Sequence, residues 1–500
     1  MEKILLINPG YVYYKKTWRK SPYGFVDLPL GLLYIAAVLE SKGCNVKVID
    51  SPASPQAKLI IYNDRRYYGI PPNVLKKMIQ EYKPDVVGIS SQFTTQEENV
   101  FQTAELVKSV DYSIPVIVGG ANASCRAKYL MESSNIDIVV KSEGEKIVSD
   151  LVDYFRGKHN LKNVKGIFYR QDRIIFENED MPYIEDLDEV PLPAYHLVDM
   201  ESYLTLYKKG IHSREGGIKR AVPMITSRGC PYNCIFCSIS LSMGKLWRAH
   251  SVDYVIQHIE KLYKTYRIKH IHFEDDNLML DVNRFMRILE IFRKYNITWD
   301  TPNGIRVDRS ITKDMLKEMK LSGCRSLTIG VESGDEEILN KIVKKNLRLD
   351  EVEEFAERCQ KVGLPLYAFF ILGFPGEDIK SMKKTIDFAM YLAKRYKVRP
   401  LNMMAIPLYG TQLYKICKEN NYFSKEITPY TLSESTGPDG YFLISTEKFQ
   451  ARQVEHLSRY FSSRIYRWLL FNALISPIST IKKIGNIYKF MRILKLLFGF

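Results

Sequence analysis

Short apolar runs rich in β-branched residues punctuate the first 155 positions: "KILLINP", "NVKVID", "PDVVGIS", "IPVIVGG" and "IDIVVKSEGE". Between them apolar residues recur at helical spacing, as in "PLGLLYIAAVLESKG", which stops at Gly43, and "ENVFQTAELVKSV". Buried strands alternating with helices predict an α/β fold, with a Rossmann-like, doubly wound parallel sheet over residues 1–155. "GIFYRQDRIIFENED" reads as a small hairpin, and "MPYIEDLDEVPLPAYHLVDM" is acidic and broken by proline, which places a hairpin and linker over 156–215. Over 216–405 the strands "AVPMITSRGC", "IKHIHFEDD", "ITWDTPNGI", "RSLTIGVESG", "LPLYAFFILGFPGE" and "VRPLNMMAIPL" each lead into a helical pattern, except the last. That alternation predicts a partial (β/α)6 barrel of the TIM type. After Pro407 the rhythm ends, and residues 406–500 are expected to form a basic, aromatic, mostly helical C-terminal region.

In both kinds of sheet, ligands bind at the carboxyl ends of the strands. Polar and glycine-rich strand ends in the first domain are Asn8-Pro9-Gly10, Ser90-Ser91, Gly119-Gly120 and Ser142-Glu143-Gly144-Glu145. No GxGxxG follows the first strand, so a nicotinamide site is not supported. The barrel strand ends carry Cys230, Glu274-Asp275-Asp276, Asn303, Glu332-Ser333 and Gly373.

Composition adds two constraints. The chain of 500 residues has eight cysteines, of which only Cys230, Cys234 and Cys237 are clustered. "MEKILLINPG" opens on a strand with no signal-peptide pattern, so the expected location is a reducing cytoplasm, where clustered thiols mean metal or redox chemistry. The net charge is +15, and nine Lys or Arg residues between Arg452 and Lys495 face one acid, Glu455. "WLLFNALISPIS" is too short and interrupted to span a bilayer. "TIKKIGNIYKFMRILKLLFGF" has the pattern of an interfacial amphipathic helix, or of a helix packed on the barrel. No RNA-binding module accompanies the charge, so no nucleic-acid partner is expected.

"SRGCPYNCIFCSIS" carries the chemistry: a C-x3-C-x2-C spacing. A zinc site would want a fourth ligand nearby, and His212 and His250 lack the usual close pairing. A [4Fe–4S] cluster takes one thiolate per iron. Three thiolates leave one iron open to a small molecule, which suits a cluster that passes an electron into a bound ligand.

These residues resemble the radical S-adenosylmethionine (SAM) superfamily signature, including Phe236 before the last cysteine. "TIGVESGDEEILN" and "ILGFPGE" resemble later motifs of its methylthiotransferase-like and cobalamin-dependent branches. "LPLGLLYIAAVLESKGCNVKVID" and "VGGANAS…IDIVVKSEGE" resemble the cobalamin-binding domain of the same enzymes. The resemblance covers residues 1 to about 405 and implies an oxygen-sensitive radical SAM enzyme of the class B methyltransferase and anaerobic porphyrin ester cyclase type. Cys230, Cys234 and Cys237 would hold the cluster. SAM would chelate the open iron and be cleaved to a 5′-deoxyadenosyl radical. Glu332 and Ser333 would orient its nucleoside and methionine parts, with Glu274 and Asp275 near its ammonium. Ser91, Gly119, Gly120 and Glu143 would line the cobalamin site. D-x-H-x-x-G, the family's usual source of a lower cobalt ligand, is missing, and no histidine precedes His159. Cobalamin is therefore expected base-off.

The expected activity is cobalamin-dependent methylation of an unactivated carbon, on an apolar, lipid-like or secondary-metabolite substrate. Oxidative cyclisation is the alternative. Methylthiolation is disfavoured because a second N-terminal cysteine trio is missing. A non-enzymatic corrinoid or redox sensor leaves the Glu332-Ser333 motif unexplained. A one-electron donor such as flavodoxin or ferredoxin is an expected partner, and the C-terminal region suggests peripheral membrane association.

Overall fold

The computed structural model describes residues 2–14, 26–62, 65–205, 218–435 and 440–475. His212 and the basic segment from Lys482 to Lys495 lie outside these residues.

Among the described residues the first region carries ten strands: β1 (Lys3–Asn8), β2 (Tyr11–Tyr14), β3 (Asn45–Asp50), β4 (Lys58–Ile61), β5 (Arg65–Gly69), β6 (Val86–Ser90), β7 (Val116–Gly119), β8 (Ile138–Val140), β9 (Ile167–Gln171) and β10 (Ile174–Glu177). The main sheet has the order β10-β9-β8-β7-β6-β1-β3. Its five strands from β3 to β8 are parallel. The chain winds outward from β1 in both directions, so the topological switch lies between β1 and β6, where α/β sheets of this order bind ligands. Helices cover both faces. Leu30–Ser41 and Gly144–Phe155 pack on one side, and Pro72–Tyr82, Glu97–Val110 and Ala121–Leu130 on the other.

Two features differ from the sequence reading. The hairpin expected in the linker joins the sheet instead: β9 pairs antiparallel with β8, and β10 with β9. Its apolar residues Ile167, Phe168 and Tyr169 are buried there, so the edge of β8 is covered. A small antiparallel sheet, β2-β5-β4, was also not foreseen. It packs Tyr67 against Gly10 beside the end of β1, where a Cβ on Gly10 would lie 2.5 Å from the tyrosine ring.

The second region adds β11 (Ala221–Met224), β12 (Ser227–Arg228), β13 (Arg248–Ala249), β14 (His270–Phe273), β15 (Thr298–Asp300), β16 (Cys324–Glu332), β17 (Leu366–Leu372) and β18 (Arg399–Met404). Six of them form one parallel sheet in sequential order, β11-β14-β15-β16-β17-β18. The connecting helices begin and end where the residues dictate. Ser251 accepts from Tyr254 N to start Val252–Tyr266, and Asp281 accepts from Arg284 N to start Val282–Tyr295. Val255, Ile259 and Leu262 form the buried stripe of the first of these helices, and Phe285, Ile288 and Phe292 that of the second.

The helix missing after β18 in the sequence pattern is supplied from farther along the chain. Helix Ala451–Ile475 packs on β18 and on helix Ile379–Tyr396. Val454, Ser458 and Phe461 are fully buried, and Asn402 of β18 donates to Ser458 and Ser462. This part of the C-terminal region is thus a sixth helix of the barrel. Among the described residues no helix is long and apolar enough to cross a membrane.

Candidate functional site

The cysteine loop leaves the barrel at the carboxyl end of β11. The antiparallel pair β12–β13 pins its two ends together, with Ser227 opposite Ala249 and Arg228 opposite Arg248. Gly229 has φ +82°, and a Cβ there would lie 2.3 Å from the Leu246 carbonyl oxygen, so only glycine fits this turn. Cys237 N donates to Cys234 O at 3.1 Å, and Cys230 N to Gly244 O at 3.3 Å. Ile235 between them is anchored to Val343 and Leu413 through its backbone. Phe236 lies 5.7 Å from Phe374, centroid to centroid.

All three thiols are free and half-buried. Burial pushes each of them up, Cys237 to about 12. Lys345 and Arg306 lie close enough to Cys234 to oppose that rise. Three half-buried thiols on one tight loop, beside cationic groups that favour thiolates, fit a thiolate-ligated cluster.

The carboxylates expected around SAM divide into two kinds. Asp275 is turned inward: its Oδ1 accepts from Thr226 N (3.0 Å), Thr226 Oγ1 (2.8 Å) and Ser227 Oγ (2.6 Å), so it shapes the start of the loop. Asp276 Oδ2 accepts from Gly229 N at 2.8 Å, and burial raises its carboxyl to about 6. Glu274 stays half-buried at the strand end, with its carbonyl held by Asn303. Glu332 has φ +70° and pairs with the buried Lys345 at 2.8 Å. Burial alone would lower the Lys345 ammonium, and the Glu332 carboxylate outweighs it. Ser333 is fully buried, with its hydroxyl 3.2 Å from Thr385 Oγ1 and accepting from Asp335 N. It therefore braces the loop behind Glu332.

In the first domain, Ser91 at the end of β6 and Gly120 at the end of β7 meet on the strand beside the switch point. Gly120 has φ +120°, and a Cβ there would lie 2.6 Å from Ser91 O. Ser91 Oγ accepts from Asn122 Nδ2, and Glu97 binds the same amide and Arg126. Gly119 is different, because a Cβ would come no closer than 3.7 Å to Val140. The tight Ser91–Gly120 turn at the end of β6 and β7 fits a ligand lying over the backbone at this point.

Glu143 does not fit the role the sequence reading gave it, because its oxygens are occupied by protein. Arg228 Nη1 donates to Oε1 (3.0 Å), while Arg248 Nη1 (2.7 Å) and Ile184 N (2.9 Å) donate to Oε2. Arg228 also donates to Glu145 at 2.7 Å. All four side chains are buried. Burial opposes the charge of Arg228, and Glu145 and Glu143 hold its guanidinium above its usual range. Ser142 Oγ donates to Ser242 O at 2.9 Å beside them. The last parallel strand end of the first domain is thus clamped onto the cysteine loop. Nothing in the sequence marks Arg228 and Arg248, because arginines flanking cysteines look like ordinary surface charge. His250, weighed as a zinc ligand, is buried, stacked on Tyr254 and 3.2 Å from Asp188 Oδ1.

Comparison with known proteins agrees with this geometry. Residues 224–389 match the radical SAM superfamily, and residues 23–152 match the B12 binding domain. An uncharacterized methyltransferase of Pyrococcus horikoshii is 31% identical over 422 residues, 84% of each chain. The cytidylyl-2-hydroxyethylphosphonate methyltransferase of Streptomyces wedmorensis is 28% identical over 87% of this chain and 85% of its own. The cobalamin-dependent SAM radical enzyme OxsB, with aqua-cobalamin and SAM bound, superposes with a TM-score of 0.70 at 17% identity, over 98% of this chain and 71% of that one. The chain belongs to the cobalamin-dependent radical SAM methyltransferase family. Its cofactors are accordingly a [4Fe–4S] cluster, SAM and cobalamin. Enzymes of this class need a reductant and act on small molecules.

Proposed function

We propose that this enzyme methylates an unactivated carbon of a small molecule, with Cys230, Cys234 and Cys237 as the cluster ligands and base-off cobalamin at the β1/β6 switch point. The observation that carries the reading is the Glu143–Arg228–Arg248–Glu145 clamp. It holds the end of the B12-type sheet against the cysteine loop, so a methyl carrier and a radical source would share one cavity. When bound, the cluster supplies the electron that cleaves SAM, and the cobalamin carries the methyl group. The chain's part is positional. Glu332 and Glu274 offer carboxylates at the barrel mouth for SAM hydroxyls or its ammonium, and Ser333 supports Glu332. Ser91, Gly119 and Gly120 form the floor under the corrinoid.

Methylation and cyclisation leave different SAM products. Methylation of an unactivated carbon consumes one SAM as methyl donor and one as radical source, giving S-adenosylhomocysteine and 5′-deoxyadenosine together. Cyclisation gives 5′-deoxyadenosine alone. Anaerobically reconstituted enzyme, given a low-potential reductant, cobalamin and fractionated cell extract, should form both in a constant ratio with a product heavier by one methylene, about 14 Da. Formation of 5′-deoxyadenosine alone would point to cyclisation.

The relative from Streptomyces acts on a cytidylyl phosphonate, which favours a polar secondary-metabolite precursor. The basic, apolar residues 480–500 favour a lipid met at a membrane surface. Liposome sedimentation separates the two. Binding that rises with anionic lipid and falls when Lys482, Lys483, Lys489, Arg492 and Lys495 become glutamine supports the lipid reading. Equal binding with and without those charges removes it.

A further inference from the structure

A second polar cluster lies on the inner face of the barrel, away from the cysteine loop. On β14, Ile271 and Phe273 alternate with His270 and His272. Phe273 and Trp299 pack against Phe285 and Phe292 of the covering helix. The two histidines, with Thr298 and Asp300 of β15, therefore face the concave side of the sheet. The strand register sets His270 beside Thr298 and His272 beside Asp300. His270, His272 and Asp300 are all buried, and one ligand atom from each lies within 4.8 Å of the others.

The hydrogen positions decide what this cluster can hold. Thr298 Oγ1 lies 3.2 Å from the Lys269 carbonyl, which can only accept. With its one proton given there, the hydroxyl accepts from His270 Nδ1, 2.7 Å away; turned to Nδ1 instead, it would leave the imidazole proton on Nε2, facing Asp300. In the first arrangement neutral His270 presents a bare lone pair at Nε2. That atom faces Asp300 Oδ2 at 3.2 Å, and both are buried without a hydrogen bond. Two acceptors at this separation repel unless a cation lies between them. On the other carboxylate oxygen, His272 Nδ1 lies at 2.7 Å.

We propose that His270, His272 and Asp300 form a mononuclear zinc site inside the barrel, distinct from the cluster site. A tetrahedral zinc with ligands about 2.1 Å away has ligand–ligand edges of about 3.4 Å, close to the 3.2 Å between His270 Nε2 and Asp300 Oδ2, and the third ligand atom lies within 4.8 Å of both. Thr298 is the outer partner that fixes the His270 tautomer with Nε2 free for the metal. Two imidazoles and a carboxylate match zinc and leave one position for water or a substrate oxygen. Glu274 follows two residues after His272 on the same face, so the site lies one layer below the barrel mouth.

The test uses the full-length, cluster-loaded enzyme, purified anaerobically, exposed to a small excess of zinc chloride and desalted. Elemental analysis should find about one zinc per chain besides the cluster iron. His270→Ala and Asp300→Asn should lose that zinc while keeping the iron. Circular dichroism would show whether each variant remains folded. Thr298→Val keeps every ligand and the side-chain volume, and should weaken zinc binding about 10-fold or more in a chelator competition. Wild-type enzyme with no stoichiometric zinc would overturn the proposal, and a proton on His270 would then fill the gap. Zinc retained in both ligand variants would also overturn it, by placing the metal on other residues.

Discussion

The two parallel sheets of this enzyme are built alike but furnished differently. At the carboxyl strand ends of the first sheet, polar side chains are paired with one another: Glu97 with Arg126 and Asn122, and Glu143 and Glu145 with Arg228. At the strand ends of the barrel, buried carboxylates keep an oxygen without a hydrogen bond, namely Asp275 Oδ2, Asp300 Oδ2 and Glu377 Oε1. An unsatisfied buried oxygen costs about 1–3 kcal/mol, so such groups accumulate where a ligand is to meet them. The first sheet offers backbone and shape, which suits a large preformed corrinoid. The barrel offers charge and thiols, which suits chemistry.

The contrast can be broken most sharply at the thiols. Replacing Cys230, Cys234 and Cys237 with alanine should abolish the brown chromophore and SAM cleavage while leaving the fold intact. Iron analysis alongside circular dichroism checks this. A triple variant that keeps its iron would show that other cysteines hold the cluster.

The clamp between the sheets comes next. Arg228→Ala leaves two buried carboxylates short of a cation and should destabilise the chain by about 3–5 kcal/mol in urea unfolding. Lys77→Ala, which removes an exposed pair with Glu81, should change stability by less than about 1 kcal/mol.

Glu377 gives the barrel a pH signature. It accepts from Gly373 N and Phe374 N at 2.7 Å, yet burial raises its carboxyl to about 8, above its ordinary 4.5. The folded state therefore holds this proton more tightly than the unfolded state. Stability from this group is complete below about pH 4.5 and is lost as pH rises toward 8. The slope is at most about 1.4 kcal/mol per pH unit. Glu377→Gln should flatten it, as urea titrations at pH 5.5 and 8 would show. An unchanged slope would mean that the carboxyl is already ionised at neutral pH.

The smallest effects test the first sheet. Gly120→Ala forces a side chain onto Ser91 O at φ +120° and should cost about 1–3 kcal/mol. Gly119→Ala has room and should change stability by less than about 1 kcal/mol. If Gly119 lies beneath the corrinoid, the same change should still weaken cobalamin binding, measured by absorbance titration.

Much of this was legible before any coordinates. Strand and helix alternation follows from apolar periodicity, because each buried strand and each helix stripe must carry its own pattern. The C-x3-C-x2-C loop was legible because its ligands are close in sequence. That C-terminal helices pack on the barrel was one of two readings the sequence offered, but the place of helix Ala451–Ile475 against β18 was not legible, because nothing local marks it as that strand's partner. The clamp joins residues 83 to 105 positions apart, and arginines near a cysteine loop carry no periodic signal.

The sequence by itself determined the parallel strands and their helices, where the thiols sit and which family the motifs resemble, but not the small β2-β5-β4 sheet. Only the tertiary structure decided that Glu143 faces Arg228 and Arg248, that Ser333 and Asp275 brace the site from behind, and that His270, His272 and Asp300 converge. The reason is physical: local spacing sets secondary structure and nearby ligands, while the partner of a buried charge is chosen by strand register and domain packing across distant parts of the chain.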